Sequence, residues 1–579
     1  MDKSAVAAIF QEIALLLELR GENPFKTRAY QNAARSLETF PGDLATLVTE
    51  DRLGEIPGLG EALREKTTLL VRDGQLPYYD QLRASFAPGL LDLLHIPGLG
   101  PKKLKALHDQ LGIHDTASLQ QACEDGRVAA LAGFGPKTAA NLLAGLAQRR
   151  AFAGQFRFGD VITRAEELIE LLRTHPDVIR VSLAGSLRRG KEVVKDMDLV
   201  ASSKDPAAVI DAFAGLEGVV RVVARGETKC SVVFDNGLPC DLRVVADRDF
   251  PATLLHFTGS KEANVALRQR AIARGLKLSE YGLEPDNPNQ QSKIKNQKFP
   301  DESALYKALG LDFIPPELRE NLGEIEAAET GRLPRLLEWT DLKGCFHNHT
   351  TASDGRNTLE EMASAAAELG LEYLGIADHS KSSVQANGLS SERLLAQVAE
   401  IHHRNKTRDD IHLFAGVECD ILKDGTLDYG DDILAQLDYV VASVHSAFNQ
   451  DADTMTRRII RAVENEHVTL LGHPTGRLLL EREPYAINLD KVIDACAANG
   501  TWIELNANPF RLDMDWRYWR RARDKGVLCA INPDAHAVGQ LGYLHLGARF
   551  ARKGWLRRED VANTLPLREM KKKLMARGG

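Results

Sequence analysis

Asp196 and Asp198 stand two residues apart in the segment Gly185-Ser186-Leu-Arg188-Arg189-Gly190-Lys-Glu-Val-Val-Lys-Asp196-Met-Asp198. On a strand, residues i and i+2 face the same side, so these two carboxylates are expected to project together. Paired carboxylates repel unless a divalent cation neutralises them. Asp241, on one arm of a hairpin signalled by Asp235-Asn236-Gly237, completes a three-carboxylate cradle. Such a cradle suits two ions, one lowering the pKa of an attacking hydroxyl and the other binding a triphosphate and its leaving group. The Gly185-Ser186 turn offers N–H and hydroxyl donors to phosphate oxygens, and Arg189 offers a fork of donors. An isolated Asp-x-Asp is most often a solvated strand end; the turn, two arginines and a distal Asp set this one apart.

A second constellation lies in the last 240 residues, which hold eleven of the sixteen histidines. It comprises His347-x-His349, Asp354, Asp378-His379, Glu418, His445, His473 and Asp534-x-His536. This exceeds the needs of one ion, so two or three are expected. Imidazole mixed with carboxylate suits Zn²⁺, Mn²⁺ or iron, whereas Mg²⁺ prefers an all-oxygen shell. Adjacent ions sharing a carboxylate can activate water and stabilise the departing oxygen of a phosphoester. Asn506 and Asn508, with Arg511 beyond them, are candidate phosphate contacts, and His402, His403, His412, His467 and His545 read as surface or packing residues.

The elements that must position these groups follow from periodicity. In the last 240 residues a short apolar run, a polar residue and a helical segment recur. The runs end at His347, His379, Glu418, His445, His473, Asn506 and Asp534. Seven strand–helix units suggest a (β/α) barrel with its chemistry at the strands' C-terminal mouth. In the middle region, Val161–Leu172 reads as helix. Strands are expected at Val178–Leu183, Val193–Ala201, Ser231–Phe234 and Cys240–Ala246, followed by a helix over Ser260–Arg274 closed by Gly275. Residues 286–300 read as a polar loop and Asn321–Trp339 as an interdomain connection.

The N-terminal region reads as helical. Ser4 is the expected cap of a helix carrying Val6, Ile9, Ile13 and Leu16 on one face, with Gly21 as its stop. Ile56-Pro-Gly58-Leu-Gly60, Ile96-Pro-Gly98-Leu-Gly100 and Leu131-Ala-Gly133-Phe-Gly135 form a threefold repeat. Each is a tight hairpin whose following helix aims free backbone N–H groups at an anion. Basic residues lie near the start of these helices, notably Lys102, Lys103, Lys105 and Lys137.

The whole chain of 579 residues carries a net charge of −8, and residues 1–150 hold 17 basic against 18 acidic side chains. A broad electrostatic footprint for nucleic acid is thereby excluded, and any contact must be local. No apolar run approaches a membrane span of about 18 residues, and the start does not read as a signal peptide. Seven scattered cysteines without a C-x-x-C pair argue against a disulfide scaffold or zinc finger and suit a reducing cytosol.

On the Gly-Ser…Asp-x-Asp pattern, the more specific His256-Phe257-Thr258-Gly259-Ser260 and Ser279-Glu-Tyr281-Gly-Leu, the three hairpins and the C-terminal ligands, the sequence resembles the X family of DNA polymerases, specifically the bacterial type with a fused PHP (polymerase and histidinol phosphatase) domain. The resemblance covers essentially the whole chain. It implies a multidomain α+β and α/β protein. Residues 1–90 would be a lyase-like helix-hairpin-helix domain, 91–150 a fingers-like one, 151–250 a nucleotidyltransferase palm and 251–320 a thumb. Residues 321–339 would be a linker and 340–579 a (β/α)7 PHP barrel.

By the same resemblance, Asp196, Asp198 and Asp241 would bind Mg²⁺ or Mn²⁺, and Ser186 and Arg189 the incoming triphosphate. Phe257 and Gly259 would line the sugar pocket, and Asn264 and Arg268 would face the nascent base pair and the template. Gly58, Gly60, Gly98, Gly100, Gly133 and Gly135 would grip DNA phosphates, and Lys26 a 5′-phosphate. Lys66 aligns with a lysine that attacks abasic sugars in some members. His347, His349, Asp354, His379, Glu418, His445, His473, Asp534 and His536 match the complete PHP ligand pattern, for two or three Zn²⁺, Mn²⁺ or iron ions. The vertebrate enzymes usually have Tyr where His256 stands and an acid where Lys261 stands, which puts ribonucleotide discrimination in doubt.

The implied activity is short-gap filling in DNA repair with 3′→5′ exonuclease or 3′-end processing. The expected partners are gapped or primer-template DNA and dNTPs; the expected state is a cytoplasmic, nucleoid-associated monomer. The alternative is a helix-hairpin-helix protein that delivers a PHP phosphatase or abasic-site endonuclease while its polymerase centre is silent. A small-molecule nucleotidyltransferase would have no use for three such hairpins.

Overall fold

The computed structural model describes residues 1, 3–40, 44–96, 98–286 and 298–576. Two compact units emerge, Met1–Ala153 and Gly154–Gly579. Among the described residues no helix is long and apolar enough to cross a membrane. All seven cysteines are buried and unpaired. Of the polar stretch expected as a loop at 286–300, residues 287–297 lie outside the described ones.

The first unit is helical. Its opening helix, Lys3–Arg20, starts one residue before Ser4. Val6, Ile13 and Leu16 are fully buried in the unit's core, as the spacing predicts, and Ile9 is partly so. In each repeat a backbone bond closes the same turn, from Leu59 N to Ile56 O, Leu99 N to Ile96 O and Phe134 N to Leu131 O. Its third residue has φ of +79°, +81° and +86° at Gly58, Gly98 and Gly133. Such a φ at that position defines a type II turn and requires glycine. Gly60 and Gly100 then cap the helices Glu61–Asp73 and Pro101–Leu111. The third copy differs, because its helix Gly135–Phe152 is entered through Phe134 and Gly135 itself has φ +75°.

In the second unit, five strands form a mixed sheet in the order Val178–Leu183, Met197–Ser203, Pro239–Val245, Lys229–Phe234, Val219–Arg225. Met197–Ser203 and Pro239–Val245 run parallel to each other, and the other three pairings are antiparallel. The strand expected over Val193–Ala201 is two pieces: Val193–Val194 pairs with Phe156–Arg157, and Met197–Ser203 enters the main sheet. The break falls on Lys195 and Asp196. Helices Phe250–Thr258 and Lys261–Ala273 follow, the second capped by Ser260. The Ser279–Gly282 motif is the turn of a small hairpin.

Residues 321–339 are a packed part of this unit. Glu324 is buried and accepts bonds from Asn321 N (2.6 Å) and Leu322 N (2.7 Å), starting the helix Glu324–Glu329. Leu336 and Leu337 are buried, and Leu337 N donates to Leu556 O. The connection is therefore tied to the barrel's last turns and does not read as a free hinge. Seven parallel strands then pair in strict chain order from Gly344–Cys345 to Cys529–Asn532. A parallel bridge between Asn348 and Ala535 joins the ends of the first and last strands, so the sheet curls into a nearly closed barrel.

Candidate active sites

The sheet brings the palm carboxylates together. Asp198 and Asp241 are direct partners on the sheet's parallel pair of strands, and Asp196 lies just before the first of them. The Asp198 carboxylate rests on the Gly-Ser turn: a Cβ on Gly185 (φ +61°) would lie 1.9 Å from its Oδ2. Ala184 N donates to Asp198 O, which ties the turn to the strand. Burial, then the charges of Asp196 and Asp241, push the Asp198 carboxyl up to about 7. Burial and Asp241 raise that of Asp196. Lys229 Nζ is 2.5 Å from Asp241 Oδ2, where it supplies positive charge of the kind the triad lacks. Two raised carboxyls beside a third are what a divalent cation would relieve.

Ser186, Arg189 and Asp196 line a 530 Å³ cavity with Lys191 and Lys195. Arg189 is not a free fork in this arrangement. Its Nε pairs with Glu320 (3.1 Å) and its Nη1 donates to Thr258 O (2.8 Å). Arg188 is likewise committed, to Glu302 and Thr258. On the neighbouring helices Asn264 Nδ2 donates to His256 O (2.6 Å), and Arg268 Nη2 is 3.2 Å from the His256 ring. A Cβ on Gly259 would meet Asn264 Oδ1 at 2.7 Å, so the glycine makes room for that anchor. Phe257 carries the Arg243 guanidinium 4.5 Å over its ring.

In the first unit, Lys66 Nζ sits 4.7 Å over the ring of Tyr78 and 5.3 Å over that of Tyr30, with Lys26 5.7 Å over Tyr78. Burial and then Lys26 lower the Lys66 ammonium pKa. Sequence reasoning did not find the two tyrosines, which lie 36 residues before and 12 after the lysine.

At the barrel mouth, all nine expected ligands converge. Four overlapping groups have ligand atoms within 4.8 Å of one another: His349, Asp354, His379 and His536; His347, His349 and Asp534; His347, Glu418 and His473; His379, Glu418 and His445. His347, His349 and Glu418 are essentially fully buried. His347 Nε2, both ring nitrogens of His349, His379 Nδ1 and His473 Nδ1 have no hydrogen-bond partner. Buried polar atoms left without partners are costly. Here they surround two shared carboxylates in a set of imidazoles and carboxylates, so the residues fit divalent metal ions.

Burial alone would depress His445, but Glu418 and Asp420 outweigh it and push it up to about 10. Asp354 is held at about 2, His536 and His349 overriding its burial. Stripping bound ions with EDTA should lower the melting temperature of this unit, because an ion held at a hundred times its Kd adds about 2.7 kcal/mol. Scanning calorimetry with and without chelator reads this, and an unchanged transition would contradict occupancy.

Residues 253–320 match the DNA polymerase beta thumb, 1–76 a helix-hairpin-helix domain, 90–148 a SAM-like helix-hairpin-helix tandem and 346–508 the PHP domain. The chain is 39% identical over 572 residues to the DNA polymerase/3′-5′ exonuclease PolX of Bacillus subtilis (strain 168), covering 98% of this chain and 99% of that protein. The chain belongs to the family X DNA polymerases with a C-terminal PHP domain. A "probable phosphatase" of Thermoanaerobacter sp. (strain X514) is 27% identical over 232 residues, 38% of this chain and 89% of that protein. One from Clostridium acetobutylicum is 25% identical over 207 residues, 34% and 80%.

In this family X chain the PHP match stops before Asp534 and His536, yet the fold carries both into the clusters. Asp378 does not join them. It is fully buried and accepts bonds from Thr350 N and Oγ1, Ser353 Oγ and Gln397 Nε2, which saturate it. Asn506 is also buried and donates to Asp534 Oδ2 (3.0 Å), so it orients a ligand where a phosphate contact was expected. Asn508 Oδ1 accepts from Phe510 N within its own loop. Arg511 Nε is 3.3 Å from Asp534 Oδ2.

Two orienting carboxylates were missed. Glu504 binds His347 Nδ1 (2.7 Å) and Asp420 binds His445 Nδ1 (2.5 Å). Each sits two residues from a residue already singled out on the same strand, Asn506 and Glu418, so the alternation rule could have found them. His402, His412 and His467 line a separate 610 Å³ pocket with Asp438 and Lys571. His545 stacks on Trp339.

Proposed function

We infer that this polymerase fills short gaps in DNA through the Asp196–Asp198–Asp241 triad and trims or cleans 3′ ends at the nine-ligand barrel mouth. The reading is supported by Asp198 and Asp241 facing each other on adjoining strands and by the four ligand groups at the barrel mouth, in one chain aligned end to end with a polymerase/exonuclease. The three carboxylates would hold Mg²⁺ or Mn²⁺, and the barrel residues Zn²⁺, Mn²⁺ or iron. Such ions acidify a hydroxyl or water and offset charge on the leaving oxygen.

The residues' own parts follow. Ser186 and the Gly185 turn donate to the triphosphate, and Arg189 turns to it from Glu320. Asn264 and Phe257 shape the sugar and base pocket. The hairpin amides bind phosphates without reading bases. Glu504 and Asp420 fix the orientation of two ligand imidazoles. Division at residues 90, 150, 250, 320 and 340 belongs to this reading, as do action as a monomer and a reducing cytoplasmic setting. Because the barrel alone resembles proteins named probable phosphatases, removal of a 3′-phosphate is a second reading of the same mouth. Purified protein with Mg²⁺ or Mn²⁺ and dNTPs should extend a primer across a short gap, and should shorten it when dNTPs are withheld. No extension with either ion would restore the silent-polymerase alternative.

Lys66, lowered in pKa between two tyrosines, would attack the aldehyde carbon of an abasic 5′-sugar, lose water and form a Schiff base. Borohydride should then trap a covalent protein–DNA adduct that Lys66→Ala lacks. An adduct of undiminished yield in that variant would rule the lysine out.

A further inference from the structure

The turn that carries Ser186 is held by the barrel. The helix Tyr543–Lys553 packs on the last barrel strand, where a Cβ on Gly547 would meet Ile531 at 2.4 Å, and it turns two cations toward the palm one helical turn apart. Arg549 Nη2 donates to Leu187 O and Arg188 O, both at 3.2 Å. Lys553 Nζ donates to Arg189 O (2.9 Å), Glu317 O (3.2 Å) and Glu320 Oε1 (2.8 Å), and its side chain is 0% exposed. Leu187 O, Arg188 O and Arg189 O lie at the C-terminal end of the short helix Gly185–Arg188, where Leu187 O also accepts from Gly190 N. Cations are favoured there.

Glu320 closes the arrangement. It pairs with Lys553, with Arg189 and with Lys191 (3.4 Å). If Arg189 leaves for a triphosphate, Lys553 and Lys191 still neutralise the buried carboxylate. The strap beyond the turn is fixed from the same side: Trp516 Nε1 donates to Glu192 Oε2 (3.0 Å), and Lys191 lies 5.0 Å over the Trp516 ring. The barrel's Leu479 and Arg517 complete the cavity that Ser186, Arg189 and Asp196 line.

We propose that Arg549 and Lys553, on the outer helix of the PHP barrel, are positioning residues for nucleotidyl transfer. They fix the backbone of the phosphate-binding turn and keep Glu320 paired when Arg189 is drawn to the incoming dNTP. This rests on the reading that Ser186 and Arg189 hold the triphosphate. Full-length Lys553→Met and Arg549→Gln should be compared with wild type and Ser186→Ala in steady-state gap filling, with 3′-end removal measured on the same preparations. In both positioning variants the KM for dNTP should rise about tenfold while kcat stays within about threefold. Removal of 3′ ends should be unchanged. An unchanged KM in both variants overturns the proposal, and so does a rise in KM matched by an equal loss of 3′-end removal, which marks general loosening. If instead Ser186→Ala leaves KM unaltered, the triphosphate reading has failed and the proposal falls with it.

Discussion

Asp198→Asn should reduce primer extension by at least about a thousandfold and at the same time make the metal-free protein more resistant to heat at pH 8. The two effects share one cause. Asp198 is half-buried beside two other carboxylates, and its carboxyl is pushed up to about 7, against about 3.9 in an unfolded chain. Between those values the native state retains a proton that the unfolded state has released. Stability therefore falls as pH rises through that window, and the full penalty persists above it. A bound divalent ion converts this penalty into affinity. Asparagine keeps the shape, fits against Gly185 and carries no charge, so it removes both the penalty and the metal ligand. Melting temperatures of the metal-free proteins should coincide near pH 4, separate progressively as pH rises to 7 and stay apart by a constant margin above it. A variant less stable than wild type at pH 8 would show that the triad is neutralised by Lys229 and has no call for a cation. Removal of 3′ ends should persist in Asp198→Asn.

His349→Ala should do the reverse, lowering 3′-end removal by at least about a thousandfold and leaving gap filling in place. His349 belongs to two of the four ligand groups and is the ligand with both ring nitrogens unpartnered. Its loss removes a ligand from each group. Bound metal measured by mass spectrometry should fall by one or more ions per chain. Gap filling serves as the control for folding, because the barrel supports the Gly185–Arg188 turn through Arg549 and Lys553. Loss of both activities together would mean either a collapsed barrel or a single shared centre, and the retained metal content separates the two.

Much of this was legible in the sequence because each centre is built on short-range regularities. The alternation that pairs His347 with His349, and the recurrence of a polar residue at the end of each apolar run, describe a parallel barrel whose ligands share one mouth. The Gly-x-Gly hairpins carry their own geometry in one positive φ. What escaped were contacts between residues distant in the chain. Nothing near Arg189 announces Glu320 or Lys553, so the ion pair that this side chain makes, and that a phosphate would have to draw it from, could not be read from the sequence. The strand read through residues 193–201 breaks because Lys195 and Asp196 leave the sheet, a choice made by pairing with Phe156–Arg157. Asp378 has the right residue type at the right strand end, and only its four donors disqualify it. Residues 321–339 looked like a connection in composition, but Leu336 and Leu337 spend their apolar surface in the core.

The central claim is that one polypeptide holds two independent divalent-ion centres. Crystals soaked in manganese and measured at an anomalous wavelength test it most directly. Peaks are predicted beside Asp196, Asp198 and Asp241 and, separately, at two or more positions among the nine barrel ligands. Anomalous density missing from either pocket, with its carboxylates turned apart, would contradict it.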